Sequence, residues 1–227
     1  MIHWDEPGYV VAFTTRNGGV SEGVYESLNL TAGTGDATEA VEANRRIACE
    51  TLGLRYENLA FNRQVHSPTV HRAHAGKRGE PGDGLWTDEP GIPVLAMSAD
   101  CLPIVVARRN GERALAVLHA GWRGLTEGVV AAGVEPLGAG KKRAMIGPAI
   151  GPCCYEVGEE VSSLFDADLT LDRKLDLWTA AERALRAAGV DDVDRADVCT
   201  RCHPELFFSH RRTGKARGVQ GVIGAVA

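Results

Sequence analysis

Apolar positions along this chain follow two different spacings, and the changes between them mark the elements. Tyr9–Thr15 (YVVAFTT) is β-branched and aromatic, which predicts a strand, and it runs into the polar glycine loop Arg16–Gly23. The runs Leu59–Asn62, Val94–Met97, Pro103–Ala107, Ala114–Leu118 and Ala144–Ile146 are too short for helices and read as strands covered on both faces. Val219–Val226 predicts a last strand. Helical spacing predicts Thr38–Leu52, with Thr38 as N-cap, Val41, Ile47, Ala48 and Leu52 near one face, and Gly53 as the stop. It also predicts Thr126–Leu137, through Val129, Val130, Val134 and Leu137, and Lys174–Ala188, closed by Gly189. The stripe of the last helix carries Leu175, Trp178, Ala181, Leu185 and Ala188, so truncating Trp178 is expected to cost about 3–5 kcal/mol. Strands outnumber helices and several follow one another directly, an α+β pattern. No repeat or linker divides the chain, which reads as a single domain over residues 1–227.

Charge narrows the function. With 25 basic and 30 acidic residues the net charge is −5, so no global field draws in nucleic acid or an anionic membrane, and only a local positive pocket remains open. No apolar stretch approaches the ~18 residues of a membrane span. The N-terminus carries acids where a signal peptide needs basic residues, which predicts a cytoplasmic protein whose six cysteines are mostly thiols.

Three residues stand where apolar runs feed polar turns: His66 in NRQVHS, Cys101 in SADCLP and His119 in HAGWRG. Together they form a three-ligand set for zinc with an open fourth position, although their spacing fits no compact finger and leaves open a core role for each. Cys101 beside a histidine also fits the thiolate nucleophile of a metal-free cysteine hydrolase. Cys199–His203 (CTRCH) spells a haem-attachment signature, which would require export. As half a zinc site it lacks a second C-x-x-C pair, and the adjacent Cys153 and Cys154 cannot alone make a four-ligand site, so a structural role rather than a metal role is expected for Cys199, Cys202, Cys153 and Cys154. His203-Pro204-Glu205 matches half of the zinc deaminase signature, but the P-C-x-x-C half is missing downstream. Seven histidines without a His-x-His pair do not supply the copper centres of a multicopper oxidase. Asp83 in GDGLWT and Asp100 in SADC read either as ligand-orienting acids or as turn formers. Arg16, beside two glycines, suits an anion-binding loop.

TTRNGGVS, SLNL, NRQVHS, GDGLWT, SADCLPI, HAGWRG, IGPAIGPCCYEVG and CTRC…FFSHRR occur in the order and spacing of the YfiH-type family, also called the laccase-domain or polyphenol oxidase family. The resemblance runs from about Tyr9 to the C-terminus. It implies a layered α/β/β/α domain with two mixed sheets face to face and the Thr38–Leu52 and Lys174–Ala188 helices outside. It also implies zinc on His66, Cys101 and His119, with copper as an adventitious occupant. The implied activity is phosphorolysis of adenosine, inosine, guanosine and methylthioadenosine, accompanied by adenosine deamination, in a monomer or homodimer whose partners are purine nucleosides and phosphate. In that chemistry Arg16 would hold phosphate, and Asn29 or Asp83 would fix the sugar or the base. The family's TGR near the C-terminus is blurred here to GKARG, where Arg217 is the nearest match.

Overall fold

The computed structural model describes all 227 residues. The first half contains β1 (Ile2–His3), β2 (Tyr9–Phe13), α1 (Thr38–Thr51), β3 (Ala60–Arg63), β4 (Val70–Arg72), β5 (Arg78–Pro81), β6 (Gly84–Thr87) and β7 (Val94–Ser98). β8 (Leu102–Arg108), β9 (Leu115–Ala120), α2 (Trp122–Glu127), α3 (Val129–Val134) and β10 (Lys142–Ile146) follow. The rest comprises α4 (Glu159–Ser162), β11 (Thr170–Leu171), β12 (Lys174–Leu175), α5 (Leu177–Ala187), β13 (Asp192–Arg195), α6 (His210–Thr213) and β14 (Gln220–Val226).

Two mixed six-stranded sheets form, in the orders β1-β2-β14-β7-β3-β5 and β13-β10-β8-β9-β6-β4. Period-two alternation decides what each face meets. In β9, Leu115 and Val117 enter the core between the sheets, whereas Ala116, Leu118 and Ala120 join the core under the helices. β8 alternates likewise: Val105 and Ala107 face the first sheet, and Leu102, Ile104 and Val106 face α3 and α5. On the far side, Leu28, Leu30, Ala48, Leu59, Leu95 and Ile223 bury α1 against the first sheet. The result is α/β/β/α, as expected.

Three element boundaries differ from the sequence reading. Ala37, not Thr38, is the N-cap of α1, because Asp36 Oδ1 accepts from the Ala37 N–H (2.8 Å) and starts the turn one residue earlier. The helix expected over Thr126–Leu137 begins at Trp122 and breaks into α2 and α3 at Gly128, whose φ of +93° an L side chain rarely adopts. Lys174 and Leu175 pair with Leu171 and Thr170 as a small hairpin, and Asp176 caps α5 by accepting from Thr179 N. Trp178 packs half-buried against the helix-side core and its Nε1 has no hydrogen-bond partner. Trp178→Ala is therefore expected at the low end of the range, about 3 kcal/mol, in the midpoint of urea unfolding.

Candidate active site

The hairpin register of β8 and β9 builds the site. Pro103 pairs with His119 and Leu102 with Ala120, so Cys101 lies diagonally across from His119 on the same face of the sheet. By alternation that face is the one between the sheets, just beyond Val105 and Val117, where the apolar core ends. His66 arrives from the β3–β4 connection with φ +62°, and Asp100 precedes Cys101 with φ +97°. Such conformations are uncommon for side-chain-bearing residues and concentrate at functional sites.

The ligand atoms of His66, Cys101 and His119 lie within 4.8 Å of one another. Cys101 Sγ is 3.9 Å from His66 Nε2, and the two imidazoles meet edge-on at 4.9 Å. Ordinary zinc bond lengths at tetrahedral angles put sulfur and nitrogen about 3.6 Å apart, so this donor set fits zinc with slight contraction. A Cβ on Gly121 would lie 3.1 Å from Cys101 Sγ, so the glycine keeps the space beside the thiol open.

Asp83 organises the cluster from beneath. It is fully buried and its carboxylate accepts from the N–H groups of Val65, His66 and Ser67 and from the Ser67 hydroxyl. Its Oδ1 also lies 2.8 Å from His119 Nδ1, so the protonated Nδ1 donates there and Nε2 faces the cluster. Burial pushes the Asp83 carboxyl up, but these donors outweigh it and hold it well below the usual carboxylate range. Burial likewise disfavours the Cys101 thiolate, yet the charge and hydrogen bond of His119 bring this thiol down to about 6. His119 is disfavoured as a cation by its own burial and raised to about 9 by Cys101 and Asp83. Each shift favours the charged form of its group, so the two reinforce one another.

A cleft of about 780 Å³ opens over the cluster, large enough for a nucleoside. Its lining includes five arginines, Arg45, Arg63, Arg123, Arg211 and Arg217, but a single carboxylate, Asp100. The Asp100 oxygens are already taken by Thr200 Oγ1, Ser209 Oγ and Arg211 N. In a chain of net charge −5 this is a concentrated positive pocket.

The structure does not bring every sequence candidate to this cleft. Arg16 donates to the carbonyls of Glu26 and Pro204 and stacks over Phe208, so its guanidinium is spent joining its own loop to the distant Pro204–Phe208 segment and does not line the cleft. Asn29 is fully buried and ties Thr31, Asp36 and Val219 together. Asp83 lies behind the histidines and not on the cleft wall. Sequence reasoning passed over Arg63, Arg123, Arg211, Trp122 and Tyr155, which do line it. The HAGWRG and FFSHRR motifs contained three of them, yet single arginines and aromatics carry no spacing that separates cleft from surface.

The chain matches the protein-family model described as multi-copper polyphenol oxidoreductase laccase over residues 10–226. It belongs to this family, the YfiH-type laccase-domain proteins. Among members, the chain is 39% identical to a purine nucleoside phosphorylase of Pseudomonas aeruginosa, over 93% of this chain and 92% of that one. The purine nucleoside phosphorylase YfiH of Escherichia coli is 36% identical, over 92% and 91%. The crystal structure of the family member YlmD from Geobacillus stearothermophilus superposes with a TM-score of 0.88 at 32% identity, covering 97% of this chain and 92% of that chain.

Proposed function

We propose that this chain is a zinc-dependent purine nucleoside phosphorylase acting on adenosine, inosine, guanosine and methylthioadenosine, with adenosine deamination as a second reaction of the same site. The observation that carries this reading is the juxtaposition of a three-donor metal cluster with an arginine-lined cleft of nucleoside size. The names of the curated relatives point the same way. Zinc bound by His66, Cys101 and His119 would supply Lewis acidity and activate water for deamination.

The chain's own residues then divide the work. Arg217 would hold phosphate: its side chain lines the cleft, its Nη1 is anchored on the carbonyls of Gly214 and Lys215, and its Nε has no protein partner. Arg211, fixed by the Glu156 carbonyl and stacked over Tyr155, adds a second positive edge. Phosphate held there can approach C1′ of the ribose as the glycosidic bond breaks, and the arginine charges favour the dianion over water. Trp122 and Tyr155 offer flat walls for the purine. Asp83 supports the metal cluster through His119 and His66, Asn29 holds the cleft residue Val219, and Arg16 joins two loops away from the cleft.

Losing one charge-assisted contact predicts that Arg217→Ala raises the phosphate KM about 10–100-fold and leaves adenosine deamination near the wild-type rate. Initial rates at varied phosphate check this, and equal loss of both activities would count against Arg217 as the anchor. A second reading has one observation in its favour. Cys101, His119 and Asp83 stand in succession, with the thiol within 4.8 Å of the imidazole and the imidazole bonded to the carboxylate at 2.8 Å, an arrangement that a cysteine hydrolase could use. Against it, His66 stands on the same sulfur, where a nucleophile needs only one histidine. An oxidase is disfavoured because this cluster gathers two histidines, far short of a trinuclear copper centre.

A further inference from the structure

A second cluster of metal-ligating side chains stands apart from the cleft. The Sγ atoms of Cys153, Cys154, Cys199 and Cys202 all lie within 4.8 Å of one another, and none of the four residues lines the cleft. We propose that these four cysteines form a closed, all-thiolate site for structural zinc, which staples two segments of the cleft wall together.

The backbone brings the four sulfurs to one point. Cys154 N and Tyr155 N both donate to the Gly151 carbonyl, a tight turn that sends two adjacent cysteine side chains to the same side. Opposite, Cys202 N donates to the Cys199 carbonyl, closing the C-x-x-C turn into a knuckle. The two turns are held in register by a parallel bridge between Ala149 and Cys199, with Thr200 N donating to Ala149 O. Gly151 N–H also donates to Cys199 Sγ at 3.3 Å, the kind of bond that supports a thiolate ligand. The missing partner of the C-x-x-C pair is thus the adjacent pair Cys153–Cys154, delivered by the turn and invisible as a spacing motif.

The distances agree with one shared ion. Zn–S bonds of about 2.3 Å at tetrahedral angles put sulfurs about 3.8 Å apart. Cys202 Sγ lies 3.7 Å from Cys153 Sγ and 3.4 Å from Cys154 Sγ. A disulfide would satisfy two sulfurs and give no reason for the other two to converge. Four thiolates suit zinc and leave no coordination position for substrate, which makes the site structural.

The staple would act on the cleft through short links. Ile150 and Tyr155 line the cleft from the first segment, and His210 and Arg211 line it beyond the second. Between them, Ile150 N donates to Asp100 O, and Thr200 Oγ1 donates to Asp100 Oδ1 at 2.6 Å. Arg212 donates to the Thr200 carbonyl and fixes α6 to the knuckle.

The test is zinc content per chain in protein purified anaerobically with zinc, for wild type, Cys153→Ser, Cys202→Ser and Cys101→Ala. Cys153 and Cys202 are exposed, so serine at either leaves the core intact, and an unchanged far-ultraviolet circular dichroism spectrum checks this. Each serine variant is expected to lose one equivalent that Cys101→Ala retains. X-ray absorption of zinc-loaded Cys101→Ala is expected to show an all-sulfur shell at about 2.3 Å. A cleft that binds no zinc would lower the wild-type total and leave this difference untouched. Zinc content unchanged in both serine variants would overturn the proposal, as would a disulfide among these four cysteines in the anaerobic wild type or iron in place of zinc.

Discussion

Cys101→Ala is expected to bring phosphorolysis and deamination to background together, while the protein keeps its wild-type unfolding midpoint to within about 1 kcal/mol. The thiol is only half-buried, so its removal leaves a small open space and not a closed cavity. What it removes is one of three donors, the sulfur that stands 3.9 Å from His66. Two neutral imidazoles hold zinc far less tightly than two imidazoles and a thiolate. Chelation of the wild type should reproduce the loss, and added zinc should restore both activities in the wild type but not in the variant. Deamination that survives in Cys101→Ala would sink a shared site. Phosphorolysis or hydrolysis that survives chelation yet falls to an alkylating agent would transfer the chemistry to the Cys101–His119 pair.

Asp83→Asn should produce the second-largest effect by a different route. The amide preserves shape but presents N–H2 where the carboxylate accepted, so at least one of the donors from Val65, His66, Ser67 and His119 loses its acceptor. Facing a donor at Nδ1, His119 shifts its proton to Nε2, the nitrogen that should bind metal. Zinc affinity is expected to weaken about 10–100-fold, and activity should recover at saturating zinc. Stability should fall by about 1–3 kcal/mol for the unpaired buried groups. The acid limb carries its own signature. A carboxyl held below its unfolded value stabilises the fold fully above the ordinary carboxylate range and loses that contribution progressively as pH falls from there through its depressed value. Denaturation profiles of wild type and variant should therefore converge in strong acid. Unchanged zinc affinity would show that the tautomer is fixed by something other than Asp83.

The layers of the fold were legible because they follow from period. Central strands such as β8 and β9 are apolar on both faces, one toward the other sheet and one toward the helices, and announce themselves as runs. β4, β5 and β13 did not, because Val70–Arg72, Arg78–Pro81 and Asp192–Arg195 are short, largely polar edge strands with no apolar run or alternation of their own. The break at Gly128 was hidden because the apolar spacing of Val129, Val130 and Val134 continues past it. At the site, His66, Cys101 and His119 stood out by their position at strand ends and by family resemblance. Asp83, a member of a glycine turn in the sequence, turned out to sit behind the histidines, and Arg16 was drawn away by carbonyls supplied from Glu26 and Pro204. Long-range partners of this kind leave no local trace.

The five bonds that converge on Asp83 come entirely from protein, so the His66 backbone and the His119 ring are positioned by the fold itself. A pocket assembled in advance spends little on closing around its guest, and it also rejects little. Among first-row divalent ions, nitrogen and sulfur donors prefer copper to zinc, so such a pocket reports the metal supply of its surroundings more than a choice of its own. Cells grown with abundant copper should yield protein carrying copper at the cleft, which a chelator should strip and zinc then replace without unfolding. The metal found after purification is thus expected to follow the growth medium, and metal analysis of protein from zinc-rich and copper-rich cultures checks this.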